Sequence, residues 1–211
     1  MSNLATLLAL ADSRLPTGGH VHSGGMEEAV TAGLVVDLDT LRAYLRRRIC
    51  THGLVSASIA HAVHAGTLSV PDGDRETDAR TPAPAARRAS RAQGRGLARL
   101  ARRVWPHIHW DTVGATPHLA VVAGVVGQVS DLEPEQTALS VVYTTMTGSA
   151  TAAQRLLALD PGDVAALTFG LSALCEQIAA EGAKELADMS DPLLDALAQH
   201  HSQRERPLFA S

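Results

Sequence analysis

The apolar residues Leu41, Leu45, Ile49, Val55, Ile59 and Val63 recur at steps of four, with one step of six in the middle, and no other feature constrains the chain as much. Side chains three or four apart share one face of an α-helix, so the stripe predicts a long amphipathic helix from Leu38 onward, bent near Gly53. Asp37 or Asp39 stands where a cap is needed, and Arg42, Arg46 and Arg47 fall on the opposite face. The period-two alternation of a half-buried strand is essentially absent. Composition agrees: aromatics make up 3% of 211 residues, whereas Ala and Leu, strong helix formers, contribute 36 and 27. The expected fold is all-α, a single-domain helical bundle over residues 1–211 with an aliphatic core.

Other helices follow from the same reasoning. Leu4, Leu7, Leu8 and Ala11 keep helical spacing until Pro16, Gly18 and Gly19 break it. Helices are expected over 85–104, 117–129, 134–157, 164–187 and 192–199, most of them opened by a proline or an acidic cap. Residues 66–84, rich in Gly, Pro and acidic groups, read as a flexible loop, and 202–211 as a polar tail ending in Leu208 and Phe209. No 20–50-residue repeat is visible. The longest apolar run, 119–127, is far shorter than the ~20 residues that span a bilayer. No basic residue precedes Arg14 to mark a secretory leader, and two cysteines, Cys50 and Cys175, make no disulfide framework. A soluble, cytoplasmic protein without a membrane partner is expected.

The formal charge of −4 is unevenly shared, with 14 basic and 9 acidic residues over 1–105 against 4 and 13 over 106–211. Such asymmetry suits a nucleic-acid face or complementary docking surfaces. Arg88, Arg91, Arg95, Arg99 and Arg102 form a basic helical stripe within 87–103 that could grip phosphates, but the acidic total and the scarcity of interleaved aromatics speak against nucleic acid. Ten histidines include His20 with His22, His61 with His64, His107 with His109, and His200 with His201. No H-E-x-x-H motif appears and no cysteine stands near any of these pairs, so no metal ligands are assigned and a histidine-rich metal enzyme is kept as an alternative. The P-loop pattern is missing, and Ser13 and Ser23, although near His20 and His22, lack a G-x-S-x-G frame. No catalytic residue or cofactor is therefore assigned.

The segment LLALADSRLPTGGHVHSGGME over residues 7–27 packs four glycines, a proline and two histidines ahead of a helix. It closely resembles the opening signature of the UreF urease accessory proteins, approximately L-L-Q-L-x-D-S-x-L-P-I-G-G-F-S-H-S-F-G-L-E. Arg88, Ser90, Gln93 and Gly94 resemble the family's central R-x-S-x-x-Q-G segment, and residues 117–157 its second half. His200 or His201, Arg204, Arg206, Leu208, Phe209 and Ser211 are similar to its H-E-x(n)-R-L-F-x-S terminus. The sequence departs from the pattern at His20, Val21 and Gly24, at 158–163, and at Pro207, which interrupts R-L-F.

The resemblance implies an all-α homodimer that is not an enzyme, a scaffold bridging UreD (also called UreH) and the GTPase UreG to the urease apoprotein during nickel insertion. It implies partner-binding roles for Asp12, Arg14, Pro16, Gly18, Gly19, His22, Ser23 and Glu27 in the first motif and for Arg88, Ser90, Gln93 and Gly94 in the second. In the tail it implies them for Arg204, Arg206, Leu208 and Phe209. The expectation is that residues 12–27 shape the face around the dimer and UreG site. The tail, by the same expectation, orders only when its Leu208 and Phe209 anchor is buried on UreD.

Overall fold

The computed structural model describes residues 3–12, 14–188 and 191–211. In chain order the helices are α1 (Leu4–Leu10), α2 (Met26–Thr31), α3 (Leu38–Arg48), α4 (Leu54–His64), α5 (Val70–Ala79), α6 (Pro84–Val104), α7 (Leu119–Val129), α8 (Pro134–Leu157), α9 (Pro161–Gly170), α10 (Ser172–Gly182) and α11 (Pro192–His201). No strand occurs among the described residues.

The predicted long helix is α3 followed by α4, joined without a break through a π-helical turn at Ile49–Gly53. Asp37 starts it with a reciprocal cap, its carboxylate accepting from Thr40 N–H (2.9 Å) while the Thr40 hydroxyl oxygen accepts from Asp37 N–H (3.0 Å). Leu41, Leu45 and Ile49 join Val142 and Met146 of α8 and Leu171, Cys175 and Ile178 around α10 in the largest core cluster. Beyond the π turn, Val55, Ile59 and Val63 change neighbours and pack with Val121 of α7 and Val141 of α8. Leu97 and Ala101 of α6 close the third cluster on Val122, Val126 and Trp110. Leu41, Leu45, Ile49 and Ile59 have no exposed surface, and burial of each contributes about 1.5–3 kcal/mol. Cys50 and Cys175 are free thiols.

Two expectations about secondary structure need correction. The loop expected over 66–84 contains α5, because the Ser69 hydroxyl caps Asp72 N–H (3.2 Å) and Pro71 sits in the first turn, where its missing donor costs nothing. The helix expected over 164–187 is two helices, α9 and α10, meeting at Leu171. Asp160 opens α9 by accepting from Gly162 N–H (2.8 Å) and Asp163 N–H (3.1 Å). No single helix among the described residues is long and apolar enough to cross a membrane.

Candidate functional site

The first motif is a loop held open at one end and clamped at the other. Asp12 accepts from Arg14 at its backbone N–H (2.8 Å), Nε (3.0 Å) and Nη2 (2.7 Å), and these bonds push its pKa down to about 2. Arg14 itself is exposed, and Ser13 between them lies outside the described residues. Pro16 is exposed, and Gly18, with φ +81°, leads into a 3₁₀ turn at Gly19–Val21. Gly24 and Gly25, with φ +66° and +87°, then turn the chain into α2. The Gly24 carbonyl accepts from Tyr44 Oη and Arg48 Nη1, both at 2.9 Å.

The tail does not await a partner to take up a conformation, which corrects the expectation that it could not order alone. It folds back onto the first motif: Ala210 N–H donates to Val21 O (2.6 Å), Ser23 N–H and Oγ donate to Ser211 O (2.6 and 2.8 Å), and His22 Nδ1 lies 2.7 Å from Ser211 Oγ. Glu27 is the fastener. This carboxylate, 3% exposed, accepts from Leu208 N–H (2.9 Å), Phe209 N–H (3.0 Å) and His201 Nε2 (2.8 Å). Burial would raise its pKa, but the Leu208, His201 and Phe209 donors outweigh that and hold it below the usual carboxylate value. Arg204 bonds Glu28 (2.9 Å) beside it. Phe209 is buried with the Arg155 guanidinium over its ring, whereas Leu208 is 78% exposed and Arg206 faces solvent.

The central motif ties α5, α6 and the start of α7. Ser90 Oγ lies 3.0 Å from His118 Nδ1 and accepts from Leu119 N–H (3.3 Å), while His118 Nε2 is 2.9 Å from Asp78 Oδ1. His118 is wholly buried, and burial, against the pull of Asp78, lowers its pKa and keeps it neutral. The order serine, histidine, carboxylate is that of a hydrolase triad, but here each member fastens one helix to another. Gly94 is where α6 meets 117–119: a Cβ there would stand 2.1 Å from Pro117 O. Gly96 admits the Thr17 backbone of the first motif in the same way. Gln93 is half-buried near Gly19, and Arg88 is exposed.

The basic stripe divides. Arg91 turns inward to Asp78 (2.7 Å), whereas Arg95, Arg99 and Arg102 line an open groove of about 450 Å³ against Gly18 and Gly114. The histidines are dispersed: His64 bonds Thr137 (2.8 Å), His61 lies 3.8 Å from Glu135, and His20, His107, His109 and His200 are exposed. Among the described residues no three His, Cys, Asp or Glu side chains converge as metal ligands. Sequence reasoning missed Asp78, which it left in a loop, and Arg48. The Ser69 and Pro71 helix-start signal would have placed Asp78 on a helix. A cavity of about 520 Å³ lies between the first motif, α4, α6, α8 and the tail.

The sequence model of the UreF family matches residues 35–172, from just before α3 into the first turn of α10. The chain is 76% identical to the urease accessory protein UreF of Mycolicibacterium vanbaalenii over 214 residues, covering all of both chains. The chain belongs to the UreF family. Over 211 residues, again the whole of each chain, it is 70% identical to the UreF of Mycobacterium marinum and 69% identical to that of Mycobacterium tuberculosis. The UreF family match stops short of the first motif and the tail, and the full-length relatives extend the likeness over both.

Proposed function

We propose that this chain is a non-catalytic scaffold of urease maturation that acts in the cytoplasm as a homodimer, bridging UreD (UreH) and UreG to the urease apoprotein while nickel is inserted. The observation that carries this reading is the full-length identity of 76% to a protein named urease accessory protein UreF. The site adds a physical division of labour. Ser23, Glu27, Ser90, Gly94 and Phe209 face inward and set the shape, as their burial and hydrogen bonds indicate. Arg14, Pro16, Arg88, Arg206 and Leu208 stand outward and are the residues offered to partners. Because first motif and tail form one surface, a partner that touches one also reads the position of the other. Nickel is cargo in this reading, and no residue is assigned to hold it.

The test is co-expression with the matching UreD and UreG, with the mass of the purified assembly measured by light scattering after size exclusion. A stable assembly that is lost on removing 200–211 supports the reading. Elution of this chain alone, with UreD and UreG soluble and folded, refutes it.

A further inference from the structure

We propose that the 520 Å³ cavity is a binding site for a small carboxylate-type oxyanion, such as acetate or bicarbonate, seated on Arg48. Arg48 ends α3 beneath the first motif, and its Nη1 is spent on the Gly24 carbonyl (2.9 Å). Its Nε is buried with no hydrogen-bond partner, and no carboxylate pairs with the guanidinium among the described residues. Arg48 is half-buried, and a buried guanidinium N–H left without an acceptor is costly, a cost that an oxyanion in the cavity removes.

The other charged side chains on the cavity wall do not supply that anion, and Ser211 O, at the same wall, is taken by Ser23 N–H and Oγ (2.6 and 2.8 Å). Asp12 is taken by Arg14, Asp191 by Arg47, and Arg80 by Glu76 and Asp188. Asp195 accepts from Ala83 N–H (3.3 Å), and burial raises its pKa, which weakens it as a counterion. Arg155, stacked on Phe209, adds positive charge without a carboxylate of its own. One turn beyond Arg48, burial and the nearby guanidinium push His52 down to about 3, so it is neutral and offers a hydrogen bond rather than charge. A cation would meet Arg48 and Arg155 here, and an anion meets the orphaned Arg48 donor, with the solvent-exposed Arg155 adding a screened positive charge. The unpartnered Nε lies on the side-on edge of the guanidinium, where Nε and Nη2 are parallel donors that match the two oxygens of a planar carboxylate. A cavity of this volume is the size that holds small molecules.

The full chain in a low-chloride buffer is titrated with sodium acetate and sodium bicarbonate, with sodium sulfate as a tetrahedral control, following ¹³C-acetate linewidth and melting temperature. Saturable broadening by acetate in the wild type, weakened at least tenfold in Arg48→Met and restored in part by Arg48→Lys, is the expected result. If Arg48→Met fails to fold by circular dichroism, Arg48→Lys carries the test, because it keeps the charge and loses the fork, and acetate binding at least threefold weaker than wild type is required of it. No saturable binding in the wild type overturns the proposal, as does equal binding in a folded Arg48→Met. If Arg48→Met abolishes assembly with UreD while the wild type binds no acetate, the anion is a partner's carboxylate and the small-molecule site is refuted.

Discussion

Replacing Glu27 with Gln keeps the side chain's shape and removes its charge, which isolates what fastens the tail. The carboxylate accepts three hydrogen bonds, two of them from the Leu208 and Phe209 amides and one from His201, and is 3% exposed. A Gln amide offers one acceptor oxygen and turns an N–H₂ group toward at least one of those donors. Breaking one side of a buried charged network costs about 3–5 kcal/mol. If the tail comes away alone, about 3 kcal/mol corresponds to roughly a 100-fold loss of protection at the Leu208, Phe209 and Ala210 amides. If the tail and core melt together, the melting temperature falls by about 6–12 °C for a chain of this length. Hydrogen exchange read by NMR distinguishes the two. Unchanged protection at 208–210 together with an unchanged melting temperature in Glu27→Gln refutes the idea that this carboxylate holds the tail.

Three further outcomes follow from the packing and the charges. Folded His22, His52, His64 and His118 all have lowered pKa values, chiefly from burial, so each contributes stability that is complete above the unfolded value near 6.5 and is lost as pH falls below it. Urea midpoints should drop between pH 7.5 and 5.5, and equal midpoints would show that these rings are not held neutral. Gly94→Ala should cost about 3 kcal/mol because its Cβ meets the Pro117 carbonyl, and calorimetry showing a wild-type melting temperature would disprove that contact. Phe209→Ala should destabilise by about 3–5 kcal/mol, whereas Leu208→Ala should leave the urea midpoint within error and weaken only the proposed assembly with UreD. Equal loss of stability in both variants would undo the division between inward and outward tail residues.

Much of the helical frame is legible in residue spacing, since the Leu41 to Val63 stripe, the 85–104 helix and the Pro134 start all reflect local periodicity or capping. The α5 helix was not, because the two glycines, the prolines and the acidic residues of 66–84 carry a loop-like composition, and only the Ser69 cap and the place of Pro71 betray a helix. The break at Leu171 has neither proline nor a left-handed glycine to announce it. At the site, the motif identified Ser90 and Glu27 as notable, but not their partners. Glu27 meets His201 across 174 positions, and His118 meets Asp78 across 40, separations that no periodic pattern encodes. Tertiary packing alone decides such pairings, which is why the residues were readable and the closed surface they build was not.

The π turn at Ile49–Gly53 has a consequence in counting rather than in chemistry. A π turn absorbs one residue more than an α turn, and each residue of an α-helix advances the side-chain direction by about 100°. That surplus residue sets the phase at which α4 leaves α3, directing Leu54 and Ala57 to one hydrophobic cluster and Val55, Ile59 and Val63 to another. Deleting any one residue between 49 and 53 would let the helix run straight and turn every later side chain of α4 by about a quarter of a circle. At this point the fold can absorb a change of letter more readily than a change of length.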